Sequence, residues 1–189
     1  MTKYKKSGIL EDMDISTKNY VLRRFTQNDL ENVFKGLSHP EVIPYYGVSF
    51  TSIEATQEQI DWYLRIEQEN TGRWRAISSP DQSLFFGAIG FNNWTQEHRK
   101  AEIGFWLMPE FWKQGVIREV LPAMIASGFK EMNLHRIEAE VETENESSKK
   151  VLLASGFNYE GTKKDCEIKN GKFISLDMFS LLATKICNN

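Results

Sequence analysis

The sequence has few of the residues that build metal sites and disulfide frameworks. It contains two cysteines, Cys166 and Cys187, and three histidines in 189 residues. The cysteines show no metal-ligand spacing and are too few for the disulfide framework of a small secreted domain. The histidines lie far apart in sequence, with no nucleophile or ligand pattern beside them. The sequence therefore predicts a reducing, cytoplasmic environment and no metal site.

Excess positive charge and long apolar runs are also missing. Lysine and arginine total 23 against 26 acidic residues, a net charge of -3, so no basic field is available to hold a nucleic acid. The first residues are basic, but no apolar stretch follows that would make a signal peptide or a membrane span. We expect no nucleic acid and no membrane as partners, and a homodimer is compatible with this composition.

The length and composition indicate one globular domain. Hydrophobic residues make up 41% and charged residues 26%, as in soluble enzymes. Residues 1–18 are polar and lack a sustained periodicity, which predicts an N-terminal arm. We expect residues 19–189 to form the single domain.

The hydrophobic pattern predicts an α+β fold. Helical spacing indicates helices near 26–37, 53–69, 116–129 and 145–155, with a kink at Pro122 because proline lacks the backbone donor. Apolar runs and alternation indicate strands at 20–25, 73–78, 84–91, 101–107, 136–142, 157–161 and 173–183. A charged segment containing the turn signal Asn170-Gly171 joins the last two strands.

One turn between a strand and a helix has the features of a phosphate site. The strand that ends at Leu107 is followed by Trp112-Lys113-Gln114-Gly115-Val116-Ile117 and then by a helix. A helix start presents unpaired backbone N–H groups and a positive dipole end, which together favour a pyrophosphate. Gly115 would allow close approach, and Lys113 and Arg118 add positive charge. A simple solvated turn is the alternative for this segment alone.

The order of several segments is similar to a known family. The strand 101–107, the turn 112–117, Arg136-Ile137-Glu138-Ala139, Asn145-Glu146-Ser147-Ser148 and Gly156-Phe157 resemble the GNAT superfamily of acetyltransferases, specifically its RimJ/RimL-type branch of ribosomal-protein N-terminal acetyltransferases. The resemblance covers roughly residues 20–183. It implies a mixed, mostly antiparallel twisted sheet of about seven strands, with a splayed parallel pair and about four helices.

The resemblance also implies a site for acetyl-coenzyme A. Backbone groups of Leu107 and Met108 would contact the pantetheine arm, residues 113–118 would hold the pyrophosphate, and Asn145 would approach the pantetheine from the far side. The full implied set is Leu107, Met108, Trp112, Lys113, Gln114, Gly115, Val116, Ile117, Arg118, Asn145 and Ser148. Trp112 and Ile117 depart from the family pattern, which prefers Gln or Arg and Gly or Ala at those positions.

Three residues are candidates for catalysis. The resemblance makes Glu167 a base, as in the Rim-type branch, and Glu102 a second candidate, because many GNAT enzymes use a glutamate on this strand. Glu167 ranks slightly ahead of Glu102. Ser148 would protonate or position the leaving thiolate. Each has an ordinary alternative, a solvated carboxylate for the glutamates and a helix cap for the serine.

The resemblance implies that the acceptor is a primary amine, and the sequence does not identify the molecule that carries this amine. At pH 7 the neutral form of an α-amine costs roughly 1.4 kcal/mol and that of a lysine about 4.6 kcal/mol, so a carboxylate base suits an N-terminal α-amine. A small amine, such as a polyamine, an amino acid or an antibiotic, is the alternative acceptor, and a non-catalytic acyl-coenzyme A-binding module is the alternative class. Trp94, Tyr45 and Phe105 are the candidates to line the acceptor entrance.

Overall fold

The computed structural model describes residues 14–183, which form one mixed sheet flanked by helices. Within this part of the chain the sheet has eight strands in the order β1-β2-β3-β4-β5-β6-β8-β7. The strands are β1 Ile15–Ser16, β2 Val21–Arg23, β3 Arg73–Ser78, β4 Phe85–Thr95, β5 Lys100–Leu107, β6 Arg136–Glu142, β7 Asn158–Lys169 and β8 Lys172–Leu182. The helices are α1 Leu30–Leu37, α2 Ile53–Gln68, α3 Val116–Lys130 and α4 Glu146–Ala154. The α+β fold with a parallel pair is confirmed.

Helices cover both faces of the sheet, so each face has its own core. On one face, α1 and α2 pack Val33, Leu37 and Ile60 against Trp74 and Trp106. The approach is close, since a Cβ added to Gly36 of α1 would lie 2.1 Å from the Trp106 ring. On the other face, α3 and α4 bury the second cluster, which includes Ile89, Phe91, Val120, Leu121, Met124 and Leu152.

The adjacent parallel strands β5 and β6 diverge along their length. They are paired only from Lys100 opposite Arg136 to Glu102 opposite Glu138. Strand β5 nevertheless stays paired with β4 up to Leu107, opposite Gly87. A gap therefore opens between β5 and β6 beyond Glu102, and this confirms the predicted splay.

Three features of the fold differ from the sequence-based predictions. Strand β1 lies inside the segment predicted to be an arm and pairs with β2, while residues 1–13 and 184–189 lie outside the described part of the chain. Helix α3 extends from Val116 through Pro122 to Lys130, one residue beyond the predicted end, and the kink at Pro122 stays a prediction. Strand β7 continues to Lys169, eight residues beyond the predicted end at Gly161. No helix among residues 14–183 combines the length and apolarity needed to cross a bilayer.

Candidate active site

The segment between β5 and α3 forms a compact turn with two left-handed residues. A short 3-10 helix, Pro109–Phe111, follows β5, and the Trp112 indole N–H then donates to the Leu107 carbonyl at 3.0 Å. Lys113 has φ 60° and Gly115 has φ 81°. Left-handed residues in such a turn aim successive backbone N–H groups at one point, which favours an anion. The turn predicted from the sequence therefore has backbone angles that suit an anion cradle.

The start of α3 supplies the remaining features of an anion site. Gly115 is the N-cap of this helix and has no side chain, so no side-chain cap occupies the first backbone N–H groups of the helix. A Cβ added to Gly115 would meet no atom within 4 Å, which leaves open space directly above the cap. Within residues 14–183, the side chains of Lys113 and Arg118 have no hydrogen-bond or ion-pair partner. The residues present therefore fit a diphosphate group.

A groove of about 460 Å³ runs from this turn along the gap beside β5. Nine of the predicted cofactor-contacting residues line it: Leu107, Trp112, Lys113, Gly115, Val116, Ile117, Arg118, Asn145 and Ser148. Gln114 lies outside the groove, because its side-chain amide donates to the Glu110 carbonyl at 2.6 Å.

 Nine of the eleven predicted cofactor contacts thus lie on this groove, and Gln114 and Met108 do not.

The structure corrects the prediction for Met108. Its backbone N–H donates to the Phe86 carbonyl at 2.9 Å, and its carbonyl accepts from the Phe111 N–H at 3.0 Å. Its side chain is buried in the core between the sheet and α1 and α2. Because hydrogen bonding alternates along an antiparallel ladder, the backbone groups of the preceding residue, Leu107, point toward the gap, where its carbonyl already accepts from the Trp112 indole. Met108 is therefore removed from the predicted contacts, and Leu107 is retained.

A second cavity of about 1300 Å³ lies at the other end of the groove. Its lining residues come from α2, the loop before α2, strands β3 to β8 and α4 with its N-cap. The two cavities share five lining residues: Tyr45, Tyr46, Phe105, Asn145 and Ser148. A ligand that lies in the groove can therefore present its end to a second ligand in the larger cavity.

Asn145 and Ser148 lie at this junction and start α4. The Asn145 side-chain oxygen accepts from the Ser148 backbone N–H at 3.1 Å, so Asn145 is the helix N-cap. The cap uses the backbone N–H of Ser148, and among residues 14–183 its hydroxyl has no hydrogen-bond partner. Both side chains remain proposed contacts of the ligand in the groove.

The two candidate bases, Glu102 and Glu167, line the larger cavity from different strands. Glu102 is half-buried on β5, at the point where β5 and β6 separate, and accepts from the Asn93 side-chain amide at 3.0 Å. Burial raises the pKa of this carboxyl above its ordinary value, and the neighbouring carboxylates of Glu138 and Glu140 raise it further. Glu167 is exposed on β7. The geometry therefore favours Glu102, although the sequence ranks Glu167 slightly higher.

The predicted acceptor-lining residues divide into two groups. Tyr45 and Phe105 line both cavities, whereas Trp94 lines neither. Trp94 packs against the core on the α3 and α4 face instead. The reason is a register shift between Asn92 and Thr95 in β4, which reverses the alternation of side chains after Asn92. Trp94 is therefore removed from the acceptor site, and Asn93 lies on the cavity in its place.

Sequence reasoning missed other parts of the larger cavity. Tyr46 lines both cavities, and burial holds the pKa of its phenol well above the ordinary value, so this group stays protonated at neutral pH. Lys169 lies at the tip of the β7–β8 hairpin and donates to the Pro44 carbonyl and to Glu142. The hairpin is thereby tied to the loop before α2. The sequence could have indicated the contact of Lys169 with Pro44 only if the full length of β7 had been predicted. The charged residues of β7 gave no strand signal.

The larger cavity is strongly acidic. Its lining includes the carboxylates of Glu58, Asp61, Glu102, Glu140, Glu142 and Glu167 and two basic side chains, Arg65 and Lys169. Lys169 pairs with Glu142, and Lys163 pairs with Glu140 at 2.7 Å. A negative surplus remains, which favours a cationic ligand. Among residues 14–183, no three acidic, histidine or cysteine side chains come together as a metal site requires.

Comparisons with known proteins agree with this geometry. Residues 19–158 match the family model described as acetyltransferase (GNAT) domain. The chain is 36% identical over 170 residues to the uncharacterized N-acetyltransferase YoaA of Bacillus subtilis (strain 168), covering 89% of this chain and 96% of that protein. Two solved structures share the fold at 21% identity. RimL, a ribosomal L7/L12 alpha-N-protein acetyltransferase in complex with coenzyme A, has a TM-score of 0.82 and is covered over 98% of its chain and 90% of this one. The spermidine N-acetyltransferase of Vibrio cholerae, with coenzyme A and spermine, has a TM-score of 0.80 and is covered over 98% of its chain and 89% of this one. The chain therefore belongs to the GNAT family of acetyltransferases.

Proposed function

We propose that this enzyme transfers an acetyl group from acetyl-coenzyme A directly to a primary amine. The observation that carries the proposal is the junction of the two cavities at Phe105, Asn145 and Ser148. One cavity begins at an anion cradle, and the other is acidic. The junction allows a donor and an amine to meet without a covalent enzyme intermediate.

The groove residues are the proposed contacts of the donor. The backbone at Gly115 to Arg118 and the side chains of Lys113 and Arg118 would hold the pyrophosphate, and Leu107 and Asn145 would flank the pantetheine arm. When bound, acetyl-coenzyme A supplies the activated acetyl thioester. Fixing both reactants at one junction removes much of the entropic barrier to their reaction.

Glu102 is the proposed general base. The attacking amine must lose its proton, and a carboxyl whose pKa is raised accepts that proton more readily near neutral pH. Burial raises the pKa of Glu102 in this way. Glu167 borders the same cavity and is the alternative base. Ser148 is proposed to protonate the departing thiolate, because it lies at the junction of the two cavities.

The proposed acceptor is the α-amine of a protein or peptide N-terminus. The low cost of neutralising an α-amine supports it, as does the fold shared with the RimL enzyme. The large cavity has room for several residues of an extended chain. Its acidic lining favours basic side chains near the N-terminus.

A polyamine is the second candidate acceptor. Its support is the surplus of carboxylates in the larger cavity together with the shared fold of the spermidine enzyme. A flexible polycation could place several ammonium groups against separate carboxylates, each of which strengthens binding at low ionic strength. Both acceptors use the same donor site and base.

An acceptor screen decides between these candidates. We expect release of coenzyme A thiol with peptides that have a free N-terminus and basic residues at the next positions, with a kcat/KM at least tenfold above that of acidic peptides of the same length. The cause is attraction between the basic residues and the lining carboxylates. The measurement is thiol release with acetyl-coenzyme A across peptides, spermidine, spermine and aminoglycosides, followed by mass determination of the products.

The matched controls are the same peptides with a blocked N-terminus, which should be inert. Turnover of polyamines with no turnover of any peptide would replace the α-amine by the second candidate. Turnover of neither class by a chain that binds acetyl-coenzyme A would favour a non-catalytic binding module.

A further inference from the structure

Strand β4 carries an irregularity directly opposite Glu102. Asn92 is paired with Glu102, but the next pair is Thr95 with Lys100, so two residues of β4 oppose one residue of β5. These two residues are Asn93 and Trp94, and Asn93 has φ 51°, in the left-handed region. This arrangement is a β-bulge, a device that redirects a side chain and occurs often beside active sites.

The bulge turns the Asn93 side chain into the larger cavity. In a regular strand Asn92 and Asn93 would point to opposite faces, yet both line this cavity. The displaced neighbour, Trp94, enters the opposite core, where its indole N–H is buried without a hydrogen-bond partner among residues 14–183. Asparagine tolerates left-handed backbone better than most residues, but an unpaired buried donor is unfavourable. An unfavourable feature of this kind persists where function requires the geometry that it accompanies.

The redirected amide contacts Glu102. Asn93 Nδ2 donates to Glu102 Oε2 at 3.0 Å. Within residues 14–183 it is the only hydrogen-bond donor to the Glu102 carboxylate. One oxygen is thus held by the amide, and the other is left to accept a proton. A donor to a carboxylate favours its ionised form.

The other charged groups around Glu102 act in both directions. Glu138 and Glu140 on β6 favour the protonated carboxyl, and Lys163 on β7 favours the ionised one. The remaining charged residues of the cavity wall are Glu58, Asp61 and Arg65 on α2, Glu142 on β6, and Glu167 and Lys169 on β7. Asn93 is the neutral group among them that touches Glu102 directly, so it offsets the neighbouring carboxylates without adding charge to the cavity.

We propose that Asn93 is a positioning residue for the general base: the bulge in β4 aims its amide at Glu102, and this hydrogen bond orients the carboxylate and keeps it ionised. The inference rests on the proposed function, since it assumes that Glu102 takes the proton. Asn93 itself need not touch the acceptor or the acetyl group.

The test uses Asn93→Gly in the full chain. Glycine adopts positive φ more easily than asparagine, so the bulge is retained and only the amide is removed. We expect the acidic limb of the kcat profile to move to higher pH, because the pKa of Glu102 rises without its donor. The rate on that limb should fall roughly three- to tenfold, while the rate on the high-pH plateau and the coenzyme A affinity change less than twofold. Asn93→Asp should move the limb further, since it adds a like charge.

Two further measurements keep the outcome unambiguous. Asn70→Gly removes an amide at another exposed left-handed position, φ 54°, and should leave the profile unchanged. Titration of the side-chain carboxyl carbons by NMR, with the Glu102 signal assigned by its absence in Glu102→Gln, should show the same upward shift in Asn93→Gly. A Glu102→Gln variant of full activity would overturn the proposed base. An impaired Glu102→Gln variant beside an unshifted Asn93→Gly profile would leave the base in place and overturn the role of Asn93.

Discussion

Gly115→Asp is expected to abolish coenzyme A binding while the protein stays folded. The new carboxylate would occupy the open space above the α3 N-terminus, where a Cβ meets no atom within 4 Å. There it would satisfy the free N–H groups itself and repel a diphosphate, so affinity should fall roughly hundredfold or more. The left-handed φ of 81° should cost an aspartate about 1 kcal/mol, which lowers Tm by about 2–4 °C. Calorimetric titration with coenzyme A and a melting curve measure the two effects.

Gly115→Asn is the matched control for this change. Asparagine has the same shape and the same tolerance of positive φ, but it carries no charge. Its loss of affinity should be at least tenfold smaller than that of Gly115→Asp. Binding by a folded Gly115→Asp variant as tight as that of the unmodified protein would contradict the diphosphate assignment. Equal losses in the two variants would show that bulk, not charge, excludes the ligand.

Glu102→Gln is expected to lower kcat/KM by about 10²- to 10⁴-fold, the usual contribution of a general base. Glutamine keeps the size of the side chain and can still accept from Asn93, but it cannot take a proton. Coenzyme A affinity should be unchanged, because Glu102 lines only the larger cavity. Initial rates with saturating acetyl-coenzyme A, together with calorimetric titration, separate the two quantities.

Glu167→Gln is the comparison that assigns the base. It replaces the second glutamate of the same cavity by the same change, and we expect less than a tenfold loss of turnover. If Glu167→Gln were the severely impaired variant and Glu102→Gln the mild one, the base would be Glu167.

Glu102→Gln should also stabilise the folded protein, by an amount that depends on pH. The pKa of Glu102 is raised in the folded state, so the folded protein holds this proton more tightly than the unfolded chain does. Below the ordinary pKa of 4.5 the carboxyl is protonated in both states, and its ionisation costs nothing. As pH rises through the elevated folded value, the unmodified protein loses stability and Glu102→Gln does not. Denaturant unfolding should therefore show an advantage for the variant at neutral pH that disappears in acid.

Much of the fold and the donor site followed from local sequence patterns. Alternation in β6, helical spacing in α3 and the glycine before it are short-range signals, and the structure contains each of these elements. The Asn170-Gly171 turn also follows from its residues, which have φ 51° and 75°. Such features depend on a few neighbours in sequence, so they are visible without the structure.

The acceptor side was harder to predict because it depends on register and on edge strands. The bulge in β4 places Asn93 on the larger cavity and Trp94 in the opposite core. The hydrophobic pattern of β4 does not indicate this bulge. The outer part of β7 is charged and exposed, so it lacks the alternation that reveals a half-buried strand. The backbone hydrogen bonds of Met108 to Phe86 and Phe111 depend on where the ladder between β4 and β5 ends, which local sequence patterns do not show.

The boundary of the family match falls at residue 158, where β7 begins. The hairpin that follows supplies Glu167 and Lys169 to the larger cavity, and among residues 14–183 it pairs with the rest of the sheet only through β6. Mutations in this appendage can reshape the entrance for an amine without disturbing the cradle at Gly115, which belongs to another part of the molecule. Selection can therefore diversify what is acetylated while the source of the acetyl group stays the same.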